Sequence, residues 1–408
     1  MKKKGLLKKM AVLLIGVMLS LGVAAIVLLL VSGIFQRPAY LEPWAKTYAQ
    51  KFADPRVRLV AHGLLAANGH NMQPWKIRLD RNHPAVFYLY ADSNRLTKEV
   101  DPRARQMMIS QGTFLTYLAI AGEQTGYRTA IALFPQGDYD ERHLTRSMDT
   151  LPVAKITLTH SVPRSTPLYD GMFQPDTNRT PYRADKPSAG QLRELTGVNA
   201  DDALSVQCFQ AAKDMNKLGY YAIKAAAVEA GVKRVMKETE LVFRSNEYRK
   251  NHDRYGFSLE GQGTSGLVMH FLQGAVTLFP ALNSGKAAAD LLIRSTKDEV
   301  AHTPAYLMIR SRNNSRRSQV KSGMLYSRLI LTAEQQGLAM QPLSQALEEY
   351  PEMNELYRGI HRDYAAGGET IQMLVRLGRP TKAVPRSMRR DVTELIIGGA
   401  DLTKRDSQ

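Results

Sequence analysis

The chain has 408 residues, 44% hydrophobic and 23% charged, which supplies a large buried core and excludes a disordered protein. A single cysteine, Cys208, excludes an internal disulfide framework and any cysteine-clustered zinc or iron–sulfur site. The net charge of +17 suits anionic lipid or a phosphorylated ligand; with no zinc-finger spacing and no aromatic-interleaved RNA motif, no nucleic-acid partner is expected.

Residues 1–9 form a basic N-terminus holding Lys2, Lys3, Lys4, Lys8 and Lys9. No charged side chain follows from position 10 to position 35. At ~1.5 Å per residue this run exceeds the ~30 Å of a bilayer core. It is longer than a secretory signal's apolar region and lacks an Ala-x-Ala site, so it reads as a retained anchor, residues 10–35, in the lipid bilayer; a cleaved signal is the other reading. The leading lysines place the N-terminus in the cytoplasm and the soluble part outside the cytoplasmic membrane, in a single pass. Arg37, Lys46 and Lys51 weaken that bias.

Residues 36–54 read as a linker, and residues 44–65 carry helical spacing that ends in the loop Ala66-Ala67-Asn68-Gly69. Strands are expected over 75–79, 86–90, 129–134 and 154–158, with an apolar helix over 111–125 closed by Gly126. The second part repeats this grammar: a helix over 322–336 closed by Gly337, then a strand over 338–343. Setting Gly112 on Gly323 aligns Leu118 with Leu329, Glu123 with Glu334, Gln124 with Gln335 and Gly126 with Gly337. Amphipathic helices ending in glycine look alike by chance. The shared Glu-Gln-x-Gly nonetheless favours duplication, with halves at 55–165 and 166–397 and a tail at 398–408. A duplicated α+β unit is a pseudo-dimer within a monomer, and its interface is a natural ligand site. Residues 213–237 read as a helix with one solvated face. Gly261-Gln-Gly-Thr-Ser-Gly266 matches a dinucleotide fingerprint in letters only, since no buried strand precedes it; it reads as a loop.

The most informative stretch is Ala66-Ala-Asn-Gly-His-Asn-Met-Gln-Pro-Trp75. It combines a permissive glycine, two carboxamides spaced by one residue, a proline and a flat aromatic. A carboxamide both donates and accepts, so Asn71 and Gln73 match the acceptor–donor–acceptor edge of a flavin ring. The same residues also suit a polar loop entering a strand.

The segment resembles the Asn-x-Gln-Pro-Trp loop of FMN-dependent nitroreductases. Asp101-Pro-Arg-Ala-Arg-Gln-Met107, Thr177-Asn-Arg-Thr-Pro-Tyr182, Gln372-Met-Leu-Val-Arg-Leu-Gly378 and Pro385-Arg-Ser-Met-Arg-Arg390 resemble further segments of that family, in the family's order. The resemblance implies a nitroreductase-like α+β fold in which two related halves enclose FMN, preceded here by one transmembrane helix. It implies that Ala67, Asn68, Asn71 and Gln73 touch the flavin, that Thr177 and Arg179 hold the ribityl and phosphate, and that Arg386, Arg389 and Arg390 reach the same phosphate. Pro342, Leu343 and Ser344 match the turn whose backbone N–H, that of Ser344, faces flavin N5. No protein acid or base is then required. Two departures stand out: Pro175 and Asp176 replace basic residues, and Gln345 replaces a glycine.

The implied activity is reduction of a small-molecule electron acceptor, nitroaromatic or quinone-like, in ping-pong order. The alternative is a membrane-tethered protein that stores or sequesters FMN without turnover. The electron donor stays open: NAD(P)H serves only a cytoplasmic domain.

Overall fold

The computed structural model describes residues 2–398, so the expected tail lies outside the described residues beyond Gly398. Helix α1, Lys2–Ser32, contains the candidate membrane span Leu7–Ser32, and its apolar side chains from Met10 to Val23 face outward. Residues 36–54 are packed chain, not a free connector. Two 3-10 turns, Ala39–Trp44 and Tyr48–Lys51, bury Tyr40, Trp44 and Tyr48. The helical spacing over 44–65 becomes a helix only at α2, Pro55–Gly63, because Asp54 accepts the Arg56 N–H at 2.8 Å and Pro55 fits the first turn.

The first sheet comprises β1 (Trp75–Leu79), β2 (Val86–Ala91), β3 (Tyr127–Leu133) and β4 (Ala154–His160), all antiparallel in the order β1-β2-β4-β3. Helix α3 (Arg105–Thr125) connects β2 to β3, and α4 (Leu144–Thr150) connects β3 to β4. Two short helices, α5 (Pro167–Gly171) and α6 (Ala189–Gly197), lead to a second antiparallel sheet. Its strands are β5 (Leu204–Phe209), β6 (Ala305–Ser311), β7 (Ala339–Pro342) and β8 (Thr370–Gly378), in the order β5-β6-β8-β7. The order of the first sheet is repeated. Five helices intervene between β5 and β6: α7 (Ala212–Gly231), α8 (Lys233–Leu241), α9 (Glu247–Asp253), α10 (Gly266–Leu278) and α11 (Gly285–Ala301). Helix α12 (Arg316–Gln335) connects β6 to β7, and α13 (Asn354–Tyr364) lies between β7 and β8.

Helices α3 and α12 cross at Gly112 and Gly323. A Cβ on Gly112 would lie 1.8 Å from the Val320 carbonyl oxygen, and one on Gly323 would lie 1.9 Å from that of Ile109. Glycine is required at both, because no side chain fits between backbones this close. The contacts around the crossing are reciprocal under the same offset. Thr116 donates to the Met324 carbonyl at 2.9 Å, and Ser327 donates to the Thr113 carbonyl at 3.2 Å. Val320 packs into the core of the first half while Ile109 packs into that of the second. Arg105 reaches the carbonyls of Leu347 and Gln372, and Arg316 reaches that of Arg103 and the carboxylate of Glu141. Gly126 and Gly337 close the two helices at φ 85° and 67°, the left-handed position a terminating residue occupies.

Candidate functional site

The loop between α2 and β1 is strained and internally bonded. Of the six non-glycine residues with positive φ among the described residues, His70, Asn71 and Gln73 fall inside it, and Arg254 lies in the segment bonded to it. Each such residue costs ~1–2 kcal/mol, so the surroundings must hold it. Asn68 accepts the Gln73 N–H at 2.7 Å and donates to the Ala66 carbonyl at 3.0 Å. Asn71 donates to the carbonyls of Gly256 (3.0 Å) and Met388 (2.9 Å) and accepts from Arg389 at 3.0 Å. Gln73 donates to the Arg254 carbonyl at 2.8 Å and accepts the Arg390 N–H at 2.9 Å.

The two carboxamides expected to face a flavin edge are bonded here to protein groups. Asn71 lines the cavity described below, yet its amide is engaged by protein. Gln73 is fully buried and does not line that cavity. Trp75 is likewise a core residue, donating its indole N–H to the Ser110 carbonyl and packing on Phe114.

A cavity of about 290 Å³ opens at the seam between the halves. The first half contributes residues 67–71 and the face of α3 from Arg105 to Thr113; the second contributes Pro175, Asp176, Thr177, Arg179, Tyr326, Pro342, Ser344, Gln345 and the 384–389 segment. The α7–α11 insertion adds Glu229 and a wall of Gly256, Phe257, Ser258, Glu260 and Gly261. Seven lining residues carry a buried side-chain atom without a hydrogen-bond partner: Arg105 Nε, Asp176 Oδ2, Glu229 Oε2, Tyr326 OH, Gln345 Oε1, Glu348 Oε2 and Arg389 Nε. An unsatisfied buried polar atom costs ~1–3 kcal/mol, and seven of them belong to residues that line this cavity.

The charges are segregated by partner. Asp176, which the sequence places where it would repel a phosphate, stands 3.9 Å from the buried Arg389. Burial raises the Asp176 pKa and lowers that of Arg389, and each partner's charge opposes the other's shift. Arg179 is exposed at the rim and makes one long contact, 3.4 Å to the Gly261 carbonyl, which leaves its guanidinium available. Burial and the nearby Arg179 hold His70 down at about 4, so it is neutral at pH 7. Glu229 and Glu348 share the inner wall, where burial raises both and the neighbouring Glu229 charge raises Glu348 further.

Of the residues the sequence singled out, Ala67, Asn68, Asn71, Thr177, Arg179, Pro342, Ser344 and Arg389 line this one cavity. Four do not. Leu343 is in the core. Arg386 is exposed beside the Trp44 ring. Arg390 braces Glu394 and the Gln73 carbonyl, and Gln73 is the loop's internal pin. Sequence reasoning missed Arg105, Tyr326, Glu229, Glu260 and Glu348. Only Arg105 left a signal, as an arginine opening an otherwise apolar helix. Gly261–Gly266 forms a turn ahead of α10 with no strand before it, as read.

No family model matches the chain, and no curated protein matches it. Several solved structures share part of its trace. It is similar to a nitroreductase with bound FMN from Desulfitobacterium hafniense DCB-2, at 10% identity over 56% of this chain and 96% of that one, with a TM-score of 0.36. It is also similar to an FMN-dependent nitroreductase from Mycobacterium smegmatis in complex with NADPH, at 17% identity over 57% and 95%, TM-score 0.33. A nitroreductase with bound FMN from Bacteroides fragilis NCTC 9343 is 9% identical over 56% and 96%, TM-score 0.33. Likeness at this level leaves the chain's own residues to decide what the site takes.

Proposed function

We propose that the chain is a membrane-tethered, FMN-dependent oxidoreductase of the nitroreductase type, built as two related halves with one flavin in the seam cavity. The observation that carries this reading is a cavity lined from both halves, seven of whose lining residues hold a buried polar atom without a hydrogen-bond partner. The repeated strand order and the reciprocal contacts at Gly112 and Gly323 support the duplication.

The donor set fits FMN. Arg179 is assigned the phosphate, since a guanidinium at a cavity rim bonds a dianion in a charge-assisted, bidentate manner. Thr177 lies beside it for the ribityl chain. Tyr326 and Gln345 offer a hydroxyl and a carboxamide to the ring's polar edge, the role first given to Asn71 and Gln73. Those two residues position the loop instead. Ser344 is assigned the backbone N–H toward the redox-active ring, its hydroxyl being engaged by the backbone of Leu374 on both sides. When bound, FMN supplies the two-electron chemistry, passing electrons from a donor to a nitroaromatic or quinone-like acceptor in ping-pong order. The Gly256–Gly261 wall covers one side of that site.

A second reading, FMN storage without turnover, is favoured by the same wall. The Gly256 N–H donates to the Asn71 carbonyl at 3.0 Å while Asn71 bonds back, so the cover is latched to the loop beneath it.

Full-length protein purified in detergent should be yellow and release FMN on denaturation, and Arg179→Ala should weaken binding by roughly tenfold or more. A colourless protein that also fails to take up added FMN would overturn the flavin assignment. Fast, acceptor-dependent reoxidation of the chemically reduced protein identifies the oxidoreductase; reoxidation that stays slow at every acceptor concentration identifies the store.

A further inference from the structure

The chain from Gly261 to Gly285 holds no charged side chain, although it lies within a strongly basic protein. Its central element, α10, exposes Leu267, Val268, Leu272 and Leu278, and the turn that follows exposes Phe279 and Leu282. A water-facing helix carries its polar residues outward. This one does the reverse.

Helix α10 packs against the end of α1. A Cβ on Gly274 would lie 2.2 Å from the Leu28 carbonyl oxygen, and Ser32 shares a 3.2 Å hydrogen bond with His270. Position 274 therefore sits at position 28 and position 270 at position 32, which makes the two helices antiparallel. Ala25, Leu28, Leu29 and Ser32, spaced as one helix face, are covered there, while the earlier part of α1 is exposed.

Depth follows from length. A bilayer core takes ~20 helical residues, so a core that begins at Met10, after the last lysine, ends near Leu29. The Gly274 backbone already lies at that level, and the residues after it continue along α1 toward the middle of the core. Phe35 and Tyr248, both exposed, stand near the other end of the contact, where aromatic side chains mark a membrane surface.

From these positions we infer that α10 and the Phe279–Leu282 turn form a second membrane-embedded element, inserted into the lipid beside the anchor. The occupant of the apolar face is the bilayer, and the inference rests on α1 being the anchor. The insertion that carries this element also forms the cavity's Gly256–Gly261 wall, a few residues upstream.

The test uses the full chain in liposomes whose acyl chains are brominated, with single tryptophan probes. Both native tryptophans, Trp44 and Trp75, are buried and provide a constant background. Phe279→Trp should lose emission relative to the same variant in unbrominated liposomes, as should Leu282→Trp. Leu19→Trp, in the anchor, is the positive control, and Val162→Trp, exposed on the soluble part, should lose none. If Leu19→Trp is quenched while Phe279→Trp and Leu282→Trp are not, the embedded turn is refuted. If Leu19→Trp itself is unquenched, the anchor reading fails and the inference with it.

Discussion

Replacing Gly323 by alanine tests whether the seam between the halves is set by backbone contact. The new Cβ would stand 1.9 Å from the Ile109 carbonyl oxygen and 3.1 Å from the Gly112 Cα. An ordinary carbon–oxygen contact is ~3.3 Å, so α3 and α12 must part by roughly 1.4 Å. That separation stretches the Thr116–Met324 and Ser327–Thr113 hydrogen bonds, worth ~1 kcal/mol each, and loosens the packing of Ile109 and Val320. Alanine returns ~1 kcal/mol in helix propensity, which leaves a net destabilisation of ~2–4 kcal/mol. Gly112→Ala should behave alike, with its Cβ 1.8 Å from the Val320 oxygen. Because either substitution opens the same seam, the double variant should be less destabilised than the two single effects added, by ~1 kcal/mol or more. Denaturant midpoints of the three variants in detergent measure this. A Gly323→Ala protein as stable as the parent, or strictly additive effects, would refute the shared seam.

Asn71→Ala should destabilise by ~2–4 kcal/mol, leaving the Gly256 and Met388 carbonyls and Arg389 short of a partner at a residue with φ 52°, while Asn71→Gly recovers the backbone part; equal losses would show that the left-handed backbone is irrelevant. His70 and Asp101 titrate in opposition. His70, held at about 4 against 6.5 unfolded, makes stability fall as pH drops through that window, because the unfolded chain binds the proton first. Asp101, pushed up to about 6 by burial against 3.8 unfolded, makes stability rise as pH drops through its own. His70→Gln should therefore gain more stability than the parent on acidification from pH 6.5 to 4; identical pH profiles would exclude His70 from the balance. Burial pushes the Cys208 thiol up to about 11, so the native protein should resist alkylation at neutral pH and react once denatured; fast native labelling would contradict the packing at β5.

The likeness of α3 and α12 was legible because it is written in local chemistry: a glycine that ends each helix and a glycine where the helices cross keep their spacing in both. The strands β1 and β2 were legible from alternation between turn residues. The roles of Asn71 and Gln73 were not. A carboxamide's residue type states what it can bond, and only the fold supplies the carbonyls of Arg254, Gly256 and Met388 that it does bond. The same holds for Arg386, Arg389 and Arg390, three similar letters with three different fates: exposed, cavity wall and brace. Residues 36–54 misled because Pro38 and Pro43 signal a connector, while the burial of Trp44 and Tyr48 depends on distant chain that sequence spacing does not reveal.

The reciprocal arginines have one further consequence. Arg105 borders the cavity, bonded to the carbonyls of Leu347 and Gln372 with Glu349 3.7 Å from its Nε, whereas its counterpart Arg316 lies away from the cavity, held by both oxygens of Glu141, and the adjacent Arg317 lies over the Phe134 ring. A homodimer cannot treat its two equivalent positions differently, since each substitution appears twice. A chain that carries both copies can fill one and keep the other. On the proposed reading the stoichiometry to expect is a single flavin per polypeptide, with the Arg105 side on the cavity and the Arg316 side closed by Glu141.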